Sequence, residues 1–231
     1  MPEWWTYGLS DFLLFSPRTY YRLLERYNEA VWPAQIVTLG VGVGILVVLR
    51  RPSARRGRII SLILASLWAW VAWAFVWERY ATINWAAMYF LPLFALEVLL
   101  LGWIGGVRGR LGFRLSRDPP GMVGLGLFLF ALVLYPTLAP LLGRTWEQAE
   151  VFGVAPDPTV IASLGLILLA EGRIRWELLA APILWCGISG ATLGVMGSAE
   201  ALLPPVVALL TGLTAGWTRR KNAQLREPQI T

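Results

Sequence analysis

The feature that most constrains this chain is a succession of long apolar blocks separated by short arginine-bearing segments. Seven blocks stand out, running approximately from Val31 to Val48, Ile59 to Trp77, Trp85 to Gly106, Met122 to Leu142, Thr159 to Ala170, Leu178 to Met196 and Ala201 to Trp217. A helix needs roughly 20 apolar residues to cross about 30 Å of hydrocarbon. Lipid offers the backbone no hydrogen-bond partner, so only helices or closed barrels span it. These blocks are continuous rather than alternating, which predicts helices. With 57% hydrophobic and 15% charged residues among 231, the chain is more apolar and less charged than an ordinary soluble domain. The expected fold class is an all-α polytopic transmembrane helix bundle of about seven spans, with an N-terminal interfacial amphipathic helix. The lipid bilayer is then its first partner.

The fifth block is short, and Glu171 to Glu177 follows it at once. It reads as a tilted helix, a half-helix entering a protein-lined cavity, or one arm of a hairpin, so six spans is the alternative count. The arginines favour seven. Four segments, which follow the first, third, fifth and seventh blocks, hold fifteen of the 20 basic residues, whereas the intervening loops hold only Arg79 and Arg144. Seven spans place all four basic segments on one side, cytoplasmic by the positive-inside rule, with the N-terminus outside and the C-terminus inside. The net charge of +6 is thereby used in orientation, and nucleic acid is not an expected partner.

Ahead of the first block, Ser16-Pro17 reads as an N-cap followed by proline at the first helical position. Arg18, Arg22 and Arg26 recur on one stripe, with Tyr20, Leu23, Leu24, Tyr27 and Val31 largely opposite. This predicts an interfacial helix, an anchor in the plainer reading and a lid or docking helix in the sharper one. Trp4, Trp5 and Tyr7 suit an aromatic belt, and residues 1–15 lack the basic n-region of a secretory signal. The organisation expected is an interfacial arm over 1–30, a bundle over 31–218 and a polar cytoplasmic tail over 219–231.

Chemistry-bearing residues are few. The chain has no histidine and one cysteine, Cys186, which removes histidine metal or haem ligation, Ser-His and Cys-His nucleophiles, and an internal disulfide. No metal, no cofactor and no enzymatic activity are expected. Two carboxylates remain as candidates for a transport or ion site. Glu97 lies deep in the third block, where a carboxyl group is costly and marks a proton or ion pathway or a buried hydrogen-bond partner. Asp157, in Pro156-Asp157-Pro158, heads the fifth block, where the plain reading is an N-cap. The sharper reading has Asp157, a helix N-terminus and Glu97 lining one cavity. Glu78-Arg79 reads as an interfacial ion pair, and Glu171 to Glu177 as a solvated turn. The tryptophans, including Trp68, Trp70, Trp73, Trp77, Trp103 and Trp185, read first as lipid anchors and second as a binding wall. Gly190 with Gly194, and Gly212 with Gly216, are spaced for close helix contact.

Two stretches carry a resemblance. Trp5-Thr6-Tyr7, Ser10 through Tyr21 and Glu25-Arg26-Tyr27-Asn28, together with Phe152-Gly153-Val154-Ala155-Pro156-Asp157-Pro158-Thr159, resemble the signatures of a bacterial multi-pass membrane family catalogued as a domain of unknown function. The resemblance implies a protein of the bacterial inner membrane and brings no activity with it. It also implies a cysteine between the two prolines in many relatives; Asp157 stands there, so a thiolate metal site is not carried over. Two functions stay open: a small-solute or ion transporter using a buried carboxylate, and a non-catalytic accessory subunit with membrane-protein partner subunits.

Overall fold

The computed structural model describes residues 15–224, with side chains through 220; the expected belt of Trp4, Trp5 and Tyr7 lies outside the described residues. Helices make up the regular structure of those residues, apart from one isolated bridge between Phe113 and Ala170. The N-terminal helix α1 (Pro17–Ala30) forms as its sequence predicts. Ser16 Oγ accepts from the Thr19 backbone N–H at 3.2 Å, Pro17 occupies the first turn, and Tyr20, Leu24, Tyr27 and Asn28 are buried while the three arginines stay exposed. It meets α2 (Ala34–Leu49) at a bend of 82°, the geometry of an arm lying across the end of a bundle.

Two long helices follow, α3 (Ala54–Ile83) and α4 (Trp85–Val107), with π-helical winding over Val71–Tyr80 and Leu101–Val107. Then come α5 (Pro119–Leu134), a single turn at Leu138–Leu141, α6 (Pro156–Leu168), α7 (Glu177–Val195) and α8 (Leu203–Gln224). The last helix runs on to Gln224, past the expected end of the bundle at 218. By length and apolarity α3, α4 and α7 each suffice to cross a membrane, and the bent α1–α2 pair makes a fourth if counted as one span. The fourth and fifth apolar blocks form shorter helices than a full crossing requires.

The turns sort into two ends. At one, the Arg114 backbone N–H donates to Leu169 O at 3.1 Å and that of Glu171 to Gly112 O at 2.7 Å, and a Cβ on Gly57 would meet Leu111 O at 2.0 Å. Thr218 of α8 lines a recess there with Arg114, Asp118 and Glu171. The arginine-bearing segments 50–58, 108–117 and 173–175 and the end of α8 therefore share this end. At the other, the Tyr21 and Ser198 hydroxyls lie 2.7 Å apart, and Asn28 Nδ2 donates to the carbonyls of Glu147 and Ala149 at 2.7 and 2.8 Å.

The decisive element is α6. All thirteen of its residues are buried, so it is surrounded by protein on every side. At about 1.5 Å per residue it is roughly 20 Å long, shorter than the hydrocarbon core. Its partner α5 approaches closely because both carry glycine at the crossing. A Cβ on Gly124 would sit 2.6 Å from Gly165 O, and one on Gly165 would sit 2.6 Å from Gly124 O. Of the glycine pairs singled out in the sequence, only Gly190 is a close contact, against Pro205; Gly194, Gly212 and Gly216 face open space.

Candidate functional site

The chain reaches α6 through residues 149–155, a loop buried along its whole length. A buried helix start normally leaves several amides without acceptors. Here Pro156 and Pro158 carry no N–H, which removes two of them at source. Thr159 Oγ1 accepts from the Gly153 backbone N–H at 2.8 Å and donates to Ala155 O at 2.6 Å, closing the turn on itself. Gly153 supplies the positive φ (75°) that lets the loop fold back. The arm α1 clamps the outside, with Tyr27 Oη donating to Val154 O at 3.0 Å.

Asp157 sits at the head of this helix, 4% exposed. It is not the N-cap expected of it: Ala155 is the capping residue, and Asp157 is in the first helical turn with its side chain turned sideways. Three donors from two other helical segments converge on the carboxylate. Trp185 Nε1 donates to Oδ1 at 2.7 Å, while Tyr135 Oη and Ser189 Oγ donate to Oδ2 at 3.1 and 2.5 Å. Trp185 and Ser189 lie four residues apart and share one face of α7. Tyr135 stands at the end of the π-wound turn of α5. The positive end of the α6 dipole favours the same negative charge.

Next to Ser189 is a cavity of about 20 Å³ lined by Tyr20, Phe75, Tyr80, Trp185 and Thr192, room for roughly one water molecule. Glu150 is buried in the loop before α6, and its Oε2 has no hydrogen-bond partner among the described residues. Arg144 donates to Glu200 Oε1 at 2.5 Å, with side-chain exposures of only 13% and 7%, and its guanidinium lies 4.4 Å over the Tyr21 ring. In the sequence Arg144 is one of only two basic residues, with Arg79, in the intervening loops; its place there is explained by this ion pair.

Glu97 faces the bundle interior at 0% exposure, and neither carboxyl oxygen has a hydrogen-bond partner among the described residues. It does not join Asp157. Trp185 packs edge-on against Phe94 (5.0 Å between centroids), Phe94 packs on Trp68 (4.9 Å), and Trp68 Nε1 donates to Ser163 at 2.9 Å. This aromatic block reaches α4 one turn before Glu97, so the two carboxylates do not line one cavity. Trp68 and Trp185 are thus core residues, against the expectation of lipid anchoring, while Trp73, Trp77 and Trp103 are exposed.

Glu78 and Arg79 form no ion pair among the described residues and instead line a groove with Arg18, Arg22 and Arg26. The turn after α6 is solvated as expected, with exposed pairs Arg114–Glu171 at 3.6 Å and Arg175–Glu177 at 3.3 Å. Among the described residues no group of three or more carboxylates and thiols assembles to hold a metal ion.

A profile of the family of unknown function DUF6064 matches residues 18–225, almost all of what the structure describes. The chain belongs to the DUF6064 family. Neither the curated proteins nor the solved structures returned a match. The family match covers α1 and the enclosed α6 alike, so in this DUF6064 chain the arm, the buried loop and the Asp157 cluster are parts of one family domain.

Proposed function

We propose that this DUF6064 protein is a seven-pass membrane transporter that moves protons, alone or coupled to a small solute, with Asp157 as the proton-binding carboxylate. The observation that carries the reading is a carboxylate at the buried head of a helix that begins inside the bundle. A helix start is costly to bury, and membrane proteins place such broken segments where they line a binding site. The adjoining cavity holds about one water rather than an organic solute. Hydroxyls of Ser189 and Tyr135 already touch the carboxylate, and hydroxyls and water pass protons readily between carboxylates.

In this reading the fifth pass is the buried loop plus α6, and the gathering of arginine segments at one end supports a cytoplasmic position for that end in a bacterial inner membrane. Arg144, Glu200 and Glu150 then lead from the outer surface to Asp157. Glu97, unpaired beyond the aromatic block, is the acceptor on the inner side. The protein carries no covalent chemistry in this scheme. Purified full-length protein in liposomes with an internal pH dye, driven by a potassium diffusion potential, is expected to acidify the lumen. Asp157→Asn is expected to abolish the flux with folding retained. Flux no faster than empty liposomes, or an Asp157→Asn variant as active as wild type, refutes the proposal.

A further inference from the structure

A second site lies at the end of the bundle covered by α1. Arg18, Arg22 and Arg26 on α1 face Arg79 and Glu78 at the end of α3 across a groove of about 530 Å³, floored in part by Leu23. Four guanidinium groups meet one carboxylate there, and none of the four arginines enters an ion pair among the described residues. Arginines that are merely solvated need no wall opposite them. These are set on two elements that converge, and the α1 arginines rise about 6 Å per step along the helix.

The depth of the groove identifies its occupant. Trp77, next to Glu78, is 53% exposed, and Trp32, Trp85 and Trp146 are also exposed. Exposed tryptophans on a spanning bundle mark the level of the lipid head groups, which is where a helix lying across the bundle end would meet them. We propose that this groove binds the phosphate of an anionic phospholipid head group and so fastens α1 over the buried loop that leads to Asp157. Guanidinium groups match phosphate oxygens in paired hydrogen bonds, and several around one groove favour a phosphate bearing net charge over a zwitterionic head group.

The test is native mass spectrometry of the full-length protein, titrated with phosphatidylglycerol or with phosphatidylcholine of the same acyl chains, and separately with inorganic phosphate. Wild type is expected to bind phosphatidylglycerol preferentially. Arg22→Gln/Arg26→Gln/Arg79→Gln is expected to lose about 100-fold in that affinity, at roughly fivefold per arginine, with phosphatidylcholine binding unchanged. Arg22→Gln alone is expected to lose about fivefold, which keeps the test open if the triple variant folds poorly. Arg55→Gln/Arg56→Gln at the opposite end is expected to change nothing. Equal binding of the two lipids, or a triple variant that binds as wild type does, overturns the assignment. So does displacement of the lipid by millimolar inorganic phosphate, which would mark a soluble anion site instead. Proton flux does not enter this readout, so the two proposals fail separately.

Discussion

Replacing Asp157 by alanine or by asparagine separates what its hydrogen bonds do from what its charge does. Trp185 Nε1 is a donor only, so in Asp157→Asn the amide oxygen must stay on Trp185. The amide nitrogen then faces Tyr135 and Ser189, whose hydroxyls rotate to accept instead of donate. All three contacts survive in neutral form, and the loss is the charge assistance, about 1–3 kcal/mol in total. Asp157→Ala leaves an indole N–H and two hydroxyls facing a void. One unsatisfied buried group costs about 1–3 kcal/mol, so even with one hydroxyl finding water in the neighbouring cavity the two groups left cost about 2–6 kcal/mol. Denaturation in mixed micelles, followed by tryptophan fluorescence, gives the two values. Asp157→Ala no less stable than Asp157→Asn would refute the convergent-donor geometry.

Three further outcomes follow from the same structure. Arg144→Met should destabilise by about 2–4 kcal/mol, since it strands Glu200 in a largely buried position; the paired Arg144→Met/Glu200→Leu should recover much of that in a double-mutant cycle, and simple additivity would argue against the ion pair. Gly165→Ala places a Cβ against a backbone carbonyl and should cost about 1–3 kcal/mol, while Gly194→Ala, facing open space, should be neutral or slightly stabilising; thermal melts of the two variants check the contrast. Glu97→Leu should stabilise the bundle by about 1–3 kcal/mol, because it removes two unpartnered buried oxygens, and should stop proton flux; a destabilised variant would mean that the carboxyl has a partner.

Much of this architecture is legible in the chain because it follows from the solvent. Long continuous apolar blocks form helices that bury one another, and arginines gather where water is, so the helical class and the clustering of basic segments at one end come from the sequence alone. So do local devices such as Ser16 capping α1 and the exposed arginine stripe, since each involves residues a turn apart. Glu97 was also visible as a buried carboxylate, because a charge within an apolar run is conspicuous whatever it touches, whereas Asp157 was singled out at a helix start with capping as its plain reading.

Which groups surround those carboxylates was decided only by tertiary packing. Nothing in the spacing of Tyr135, Trp185 and Ser189 announces that they meet at Asp157, for they come from two segments brought together by helices crossing at glycines. The same holds for Arg144 and Glu200, paired across 56 residues. The sequence marked the fifth block only as short, with a half-helix in a protein-lined cavity among three readings; the full enclosure of α6 is a property of what the other helices leave for it. Local chemistry acts over a turn or two and is written in order along the chain. Burial, donor convergence and the separation of Asp157 from Glu97 by an aromatic block depend on distances through space, which linear order does not encode.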